Sequence, residues 1–191
     1  AVNYRRSTGK GQYIDVAMMD GCVPFNSLDG ASFLVSGEEP KREGERLNGG
    51  CMYDFYETKD RQYMSVGSLE PQFWKSFCQA IGREDLIDGT VWPENIGEVK
   101  DEIRGIFKTK TRDEWVEVFS KYDACVQPVL NLKEALLEDE QVKDRKMVVD
   151  VDLPLHEGVQ VKQLATSIKL SECPCEYKFA GYPVGYHTKE I

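Results

Sequence analysis

The sequence predicts an α/β fold, a small domain built from β-hairpins and amphipathic helices. Apolar residues recur at helical spacing through the middle of the chain, most clearly over residues 71–81 and 112–122. Two pairs of short aromatic and β-branched segments flank polar turns, over residues 53–68 and 147–170, which is typical of hairpins. With 191 residues, 41% of them hydrophobic and 30% charged, the chain can bury a core and is too apolar for wholesale disorder.

The amino-terminal segments predict a strand, a bent helix and a loop. Residues 12–17 are mostly apolar and β-branched, which predicts a buried strand behind a glycine-rich turn. Residues 18–35 predict a helix, which Pro24 bends or restarts because proline cannot continue the helical hydrogen bonds. Residues 37–50 are polar, charged and punctuated by glycine, so they predict a linker or a mobile loop.

A hairpin over residues 53–57 and 62–68 is followed by a helix predicted from Pro71 to Gly82. Proline is favoured at the first helical position, and glycine just beyond the last one. The side chains on one face of this helix indicate core packing rather than a cofactor site; they are Phe73, Trp74, Phe77, Cys78 and Ile81.

Two capping signals mark further helices in the second half of the chain. Residues 98–108 predict one helix, and Thr111 with Glu114 matches a capping box in front of the next. Asn131 is expected to cap a third helix that runs to about residue 146.

The second half also predicts short strands. Residues 125–130 indicate a short strand or an extended connection, because Pro128 interrupts any helix there. Residues 147–153 and 159–170 indicate two strands joined by a turn at residues 156–158.

Composition excludes several classes of function. No apolar run approaches the roughly 20 residues that span a bilayer, so no membrane span is predicted. The net charge is −9 and the sequence offers no extended basic face, which argues against nucleic acid as a partner. No apolar run follows the basic start at residues 1–6, so no signal peptide is predicted. The abrupt start at Ala1 favours a processed or truncated piece.

The cysteines and histidines predict neither disulfides nor a metal site. Without a secretory signal, all six cysteines are expected to be reduced, which places the protein in the cytoplasm. Cys173 and Cys175 enclose one residue instead of two, and no second cysteine pair follows them. His156 and His187 lie in no ligand pattern, so no metal is expected.

Four segments resemble, in order, the family III CoA-transferases (CaiB/BaiF), a family that includes the α-methylacyl-CoA racemases. Residues 8–17, TGKGQYIDVA, resemble the family's T-G-[RK]-G-Q-x-[IV]-D-V segment. Residues 69–74, LEPQFW, resemble the E-P-x-F-[WY] signature of the racemase branch. Residues 125–129, CVQPV, match the family's C-x-P-V connection in character, and residues 185–188, GYHT, resemble its terminal G-E-H-T with Tyr in place of Glu.

A fifth segment, residues 53–68, is similar to the family's small-domain hairpin, in which glycine usually follows the turn aspartate. This chain has Arg61 after Asp60. Arginine serves in a turn only where φ is negative, so the turn is expected to differ in type from the family's.

The resemblance implies that the chain is the carboxyl-terminal part of a longer enzyme. Residues 1–40 would be the end of a Rossmann-like large domain and a connecting helix, residues 41–150 the small domain, and residues 151–191 a segment returning to the large domain. That missing domain carries the principal bases of the racemases or the acylated aspartate of the transferases, and most contacts to CoA. The family uses a CoA thioester as substrate, without a covalently bound cofactor, and forms interlocked homodimers.

Two features could contribute to such a site. Asn48, Gly49 and Gly50 fall where the transferases place a glycine-rich loop over the active site, and the alternative is the end of a flexible linker. Glu70 precedes a helix that starts with proline, so its carboxylate could simply stabilise the helix start. The resemblance instead gives Glu70 a supporting catalytic role, in which it orients a base supplied by the missing domain.

Three functions are consistent with these residues. The first is a 2-methylacyl-CoA racemase, which removes and returns an α-proton, and the Glu70–Pro71 pair favours it. The second is a CoA-transferase that moves CoA between carboxylic acids. The third is a non-catalytic small-domain or dimerisation module. In each case this chain alone is expected to be inactive, and its sequence does not specify an acyl group.

Overall fold

The computed structural model describes residues 1–89 and 93–190, and it confirms the α/β fold. The chain forms two compact units, Ala1–Pro128 and Val129–Ile191. The first unit contains a three-stranded antiparallel sheet with a helical layer, and the second contains a two-stranded antiparallel sheet. The three-part division predicted at residues 40 and 150 stays a prediction.

The amino-terminal segments are helical, with one extended stretch between them. Helix α1 (Val2–Thr8), which the sequence did not predict, precedes it, and α2 (Met18–Cys22) and α3 (Ser27–Ser36) follow it. A 3₁₀ turn at Val23–Asn26 contains Pro24 and joins α2 to α3, so the predicted bent helix is confirmed.

The buried strand predicted at residues 12–17 is wrong. These residues lie outside any described helix or strand, and Tyr13 and Val16 are 91% and 86% exposed. The apolar, β-branched pattern indicates a surface that favours burial, but a strand also needs a hydrogen-bonding partner. The described residues of this chain do not supply one.

The predicted first hairpin is confirmed as strands β1 (Asp54–Glu57) and β2 (Tyr63–Val66), which pair antiparallel. Strand β3 (Val126–Pro128) pairs antiparallel with β2 and gives the sheet order β1-β2-β3. Because β3 comes from the region around Pro128, the short strand predicted there is also confirmed.

The expectation of a negative φ at Arg61 is wrong. Arg61 has φ +60°, in the left-handed region that glycine adopts most easily. Its N–H donates to the Thr58 carbonyl at 3.0 Å, and the Thr58 N–H donates to the Gln62 carbonyl at 2.9 Å. The tight turn between the two strands therefore imposes a left-handed backbone on an arginine, although glycine adopts this conformation most easily.

Three helices cover the sheet of the first unit. They are α4 (Pro71–Ile81), α5 (Ile96–Phe107) and α6 (Arg112–Phe119), and α4 starts and stops as predicted. The capping box in front of α6 is confirmed, with the Thr111 hydroxyl accepting from Glu114 N–H and the Glu114 carboxylate accepting from Thr111 N–H.

Aromatic rings from β1 and these helices make the core. Their centroids lie 5.0–6.3 Å apart, within the range of favourable ring contacts, and the rings belong to Tyr56, Trp74, Phe77, Phe107, Trp115 and Phe119. Both buried indoles keep a partner, because Trp74 Nε1 donates to the Leu86 carbonyl at 2.9 Å and Trp115 Nε1 to the Phe107 carbonyl at 2.8 Å. Core packing is thus confirmed for the α4 face.

The second unit begins with the predicted cap, in which Asn131 and Glu134 bond each other's backbone. The helix predicted to run to about residue 146 is broken, however, into a π-helical turn at Glu134–Glu138 and helix α7 (Glu140–Asp144). The break occurs at Asp139, whose extended backbone stops the first turn and whose carboxylate caps α7 by accepting from Val142 N–H at 2.8 Å.

The second predicted hairpin is confirmed. Strand β4 (Val148–Asp152) pairs antiparallel with β5 (Gln160–Leu164), which is shorter than the predicted segment. The chain then runs back past β4, where Ala180 N–H donates to the Asp152 carbonyl at 2.9 Å.

Candidate functional site

The start of α4 places Glu70 at the surface of the first unit. Glu70 is the residue before the first helical turn and has an extended backbone, with φ −77° and ψ 144°. Proline follows it, so its own conformation is biased away from the helical region. The Glu70 side chain is exposed, and within the described part of the chain it makes no capping hydrogen bond. The Glu70 carboxylate therefore accepts no capping hydrogen bond from the first turn of the helix.

The backbone just before Glu70 is fixed against the segment that leads into β3. Gly67 N–H donates to the Cys125 carbonyl at 2.9 Å, and the buried Ser68 hydroxyl donates to the Ala124 carbonyl. Two hydrogen bonds on consecutive residues leave little freedom for the turn that enters α4. The position of the Glu70 carboxylate thus depends on the sheet as well as on the helix.

Cys125 lies close to Glu70, and sequence reasoning did not place it there. Desolvation raises the pKa of the Cys125 thiol, and the charges of Asp123 and Glu70 raise it further. The residue has φ +50°, a conformation that non-glycine residues seldom adopt. A thiol with a raised pKa stays protonated at neutral pH, so Cys125 is a poor nucleophile beside Glu70.

A cavity of about 580 Å³ lies between α3, the loop before β1 and the start of α4. Leu28, Asp29 and Ser32 of α3 line one side. The loop residues Glu45, Arg46, Leu47 and Asn48 line another, and Leu69 completes the wall. The structure thus brings the predicted loop residue Asn48 and the neighbour of Glu70 to one cavity.

Gly49 and Gly50 each have a local reason to be glycine. Gly49 has φ +81°, and an added Cβ at Gly50 would lie 2.1 Å from the Gly44 carbonyl oxygen. The loop folds back on itself there, because Asn48 N–H and Gly50 N–H both donate to the Glu45 carbonyl, at 3.0 and 2.9 Å. These contacts give a compact turn within the region that the sequence predicted to be a linker or a mobile loop.

Lys100 of α5 connects this turn to the rest of the first unit. Its ammonium lies 2.5 Å from the Gly49 carbonyl oxygen and 2.6 Å from Asp54 Oδ2 of β1. Lys100 is only 6% exposed, whereas Arg104, 3.6 Å from the same carboxylate, is about half exposed. Sequence reasoning missed Lys100, although its spacing from Ile96, Ile103 and Phe107 puts a charge in the apolar stripe of α5.

The described residues offer little other chemistry. Burial raises the pKa of the Cys51 thiol, and it raises that of Cys78 to about 12, so both stay protonated. Within residues 1–89 and 93–190, no three His, Cys, Asp or Glu side chains lie together so that they could hold a metal ion. Of the helices in the same residues, none is long and apolar enough to cross a membrane.

Comparison with known proteins gives consistent results over nearly the whole chain. The profile described as "CoA-transferase family III" matches residues 1–188. The human "Alpha-methylacyl-CoA racemase" is 34% identical over 137 residues, which cover 71% of this chain and 36% of that protein. The "Succinyl-CoA:mesaconate CoA-transferase" of Haloarcula hispanica is 27% identical over 176 residues, which cover 90% and 43% of the two chains. This chain therefore spans less than half the length of either relative.

A solved structure agrees with this result at the level of the fold. The crystal structure of "a CAIB/BAIF family protein from Brucella suis" superposes with a TM-score of 0.72 at 20% identity. The superposition covers 99% of this chain and 49% of that one. Both the sequence and the fold thus match one portion of longer proteins.

Proposed function

Because the chain belongs to CoA-transferase family III, we propose that it is the carboxyl-terminal part of an acyl-CoA enzyme, a 2-methylacyl-CoA racemase. The observation that carries this proposal is Glu70, an exposed carboxylate before Pro71 whose charge no capping bond engages. The same segment resembles the racemase signature, and the human racemase supports that branch by its 34% identity.

In the proposed reaction, a base removes the proton α to the thioester and a second group returns it to either face. Negative charge builds on the thioester oxygen during this step, so donors must be positioned for it. The two bases must hold different protonation states, and the missing large domain would supply both. Glu70 would act as a positioning residue, since a carboxylate beside a histidine favours the imidazolium and fixes its tautomer.

The exposed apolar residues near the amino terminus support the proposal that a large domain, or a partner, covers this surface. Tyr13, Val16, Met18, Phe25 and Val35 are each at least 86% exposed. Single exposed apolar residues are ordinary, but several along one segment indicate a surface that is covered in the complete protein. We assign this surface to the large domain of an interlocked homodimer, which the cysteine composition would place in the cytoplasm.

A CoA-transferase that moves CoA between carboxylic acids is the second candidate. Its support is the archaeal transferase relative, which matches 90% of this chain at 27% identity. The turn at Asn48, Gly49 and Gly50 would then be the loop over the active site. A module without activity of its own is the remaining alternative for the isolated chain.

The racemase candidate removes and returns the α-proton of the acyl group, whereas the transferase candidate moves CoA from one carboxylic acid to another. The test uses the protein made from the complete open reading frame, with (2R)-2-methylacyl-CoA in deuterated water. The racemase proposal predicts deuterium at the α-carbon and formation of the 2S epimer without a carboxylate acceptor. CoA transfer to an added carboxylate, with no deuterium at the α-carbon, would favour the transferase instead.

A further inference from the structure

Lys100 stands out among the buried groups that the proposed reaction does not use. It is a cation, 6% exposed, in the helix face that also contributes Ile103 and Phe107 to the core. Burying an ammonium is costly unless close partners compensate it. Its two partners, the Gly49 carbonyl and the Asp54 carboxylate, lie within 2.6 Å. Because replacing a buried ion pair with apolar residues is often neutral or stabilising, stability alone does not account for a lysine at this position.

We propose that Lys100 is a positioning residue that holds the turn at residues 44–50 in place, so that Asn48 is presented to the cavity beside Leu69 and Glu70. This inference rests on the proposed function, because it assigns the cavity to the acyl-CoA substrate. Lys100 is not among the residues named above as lining this cavity, and it acts through the backbone of Gly49.

The geometry of the turn explains why one lysine can hold it. Gly49 N–H donates to the Tyr53 carbonyl at 3.3 Å, while its own carbonyl accepts from Lys100. The turn also packs on itself, since no Cβ fits at Gly50 against the Gly44 carbonyl. The turn is thus bonded within itself, and the hydrogen bond from Lys100 to the Gly49 carbonyl attaches it to α5.

The second partner fixes the lysine. Asp54 of β1 accepts from the ammonium at 2.6 Å, and Arg104 approaches the same carboxylate at 3.6 Å. Strand, helix and turn therefore meet at one ammonium group. A second cavity, of about 410 Å³, lies next to this ammonium group and is lined by Gly49, Gly50, Asp54 and Lys100, among others.

A turn held in this way changes substrate binding in a defined direction. Ordering a mobile segment on binding costs conformational entropy, and a segment ordered beforehand avoids that cost. Loss of the lysine should therefore weaken ground-state and transition-state binding equally. Such a change raises KM and leaves kcat unaltered. A loss of folded protein does the opposite, because it lowers apparent kcat and leaves KM unchanged.

The test compares Lys100→Met with Lys108→Met. Methionine has a similar length without the charge. Lys108 joins the end of the same helix to the same strand, through Glu57 at 3.1 Å, but it is exposed and lies away from the turn. In the 191-residue chain, amide hydrogen exchange at residues 48–50 should speed up at least tenfold in Lys100→Met and stay unchanged in Lys108→Met. Exchange at Ile103 and Phe107 should stay slow in both.

The second readout is the α-proton exchange reaction of the complete enzyme. Lys100→Met should raise KM for the 2-methylacyl-CoA about tenfold and leave kcat within about twofold, and Lys108→Met should alter neither. If Lys100→Met does not fold, the double variant Lys100→Met/Asp54→Asn, which also removes the carboxylate charge, takes its place with the same expectation.

Each outcome decides a separate claim. Unchanged amide exchange in the turn would show that Lys100 does not hold it. A faster-exchanging turn with unchanged KM would show that the turn is held but does not serve the substrate. No deuterium exchange by the wild-type enzyme would overturn the proposed function and the substrate role with it. In that last case, the amide exchange of the isolated chain would still decide whether Lys100 holds the turn.

Discussion

The hydroxyl of Ser68 donates a hydrogen bond to the carbonyl oxygen of Ala124, and both residues are 2% exposed. They are 56 positions apart in the sequence. Ser68 lies two residues after the end of β2 and two residues before Glu70, and Ala124 lies two residues before β3. This contact couples the position of the candidate site residue to the third strand of the sheet.

Ser68→Ala should destabilise the protein by about 1–3 kcal/mol, because it leaves the buried Ala124 carbonyl without its donor. Thermal unfolding measures this, with an expected fall of about 2–4 °C per kcal/mol. Ser120→Ala is the matched control, since Ser120 also donates to a carbonyl, that of Glu117, but is exposed. It should change stability by less than about 0.5 kcal/mol. Equal effects of the two variants would rule out the coupling.

Arg61→Gly should stabilise the hairpin or leave it unchanged, by up to about 1 kcal/mol. Glycine removes the strain of φ +60° but adds freedom to the unfolded chain, so the two effects partly offset each other. Arg61→Ala keeps the strained backbone and should give no gain. Urea unfolding of the two variants measures the difference, and a more stable alanine variant would contradict the strain at Arg61.

The stability that the capping box contributes should depend on pH through the Glu114 carboxyl. Hydrogen bonds from the Thr111 N–H and hydroxyl lower the pKa of Glu114. A carboxyl whose pKa is lower in the folded state than in the unfolded state stabilises the folded protein above its unfolded-state pKa of about 4.3. This contribution is lost as the pH falls through the folded-state pKa. Wild type should therefore exceed Glu114→Gln in stability at pH 7, and the gap should shrink below about pH 4. Glu117→Gln, on the same helix, is the control, and a gap independent of pH would contradict this origin.

The isolated chain should bind CoA poorly. Most CoA contacts would lie in the missing domain, and the net charge of −9 repels a polyanionic ligand. Titration calorimetry at low salt should detect a Kd no tighter than about 1 mM, or roughly −4 kcal/mol. A Kd near 1 μM would mean that this chain carries the CoA site itself.

Most elements with local signals could be predicted from the sequence. The helix from Pro71 to Gly82 and the capping box at Thr111 depend on residues within a few positions, and both are confirmed. The strand at residues 12–17 could not be predicted correctly, because pairing is non-local and an apolar pattern does not identify a partner. The left-handed φ of Arg61 was missed for a related reason, since hairpin closure outweighs the preference of one residue.

The candidate site shows the same division. The place of Glu70 before a helix is a local signal, and its supporting catalytic role is what the resemblance to the racemase segment implies. Lys100 was not found, because its partners Gly49 and Asp54 are brought to it by the fold and not by the sequence. The resemblance to a family identified where a loop over the site would lie, and the structure adds the contact between Lys100 and the Gly49 carbonyl in that loop.

The account depends most on Glu70, and the rate of α-proton exchange tests it directly. In the complete enzyme, Glu70→Gln keeps the shape of the side chain and removes its charge. Because Glu70 makes no capping bond in the described residues, stability should change by less than about 1 kcal/mol. Glu98→Gln, which removes a carboxylate from the first turn of α5, is the matched control and should not affect the rate.

The decisive measurement is deuterium incorporation at the α-carbon as a function of pH. Glu70→Gln should slow it on the order of 100-fold, in the range expected for groups that support acid–base catalysis. The limb of the pH profile that a histidine base of the proposed large domain would set should move to lower pH, because its imidazolium loses the neighbouring negative charge of Glu70. Unchanged exchange together with a loss of stability would instead make Glu70 a helix-start residue and would remove the main local support for a racemase.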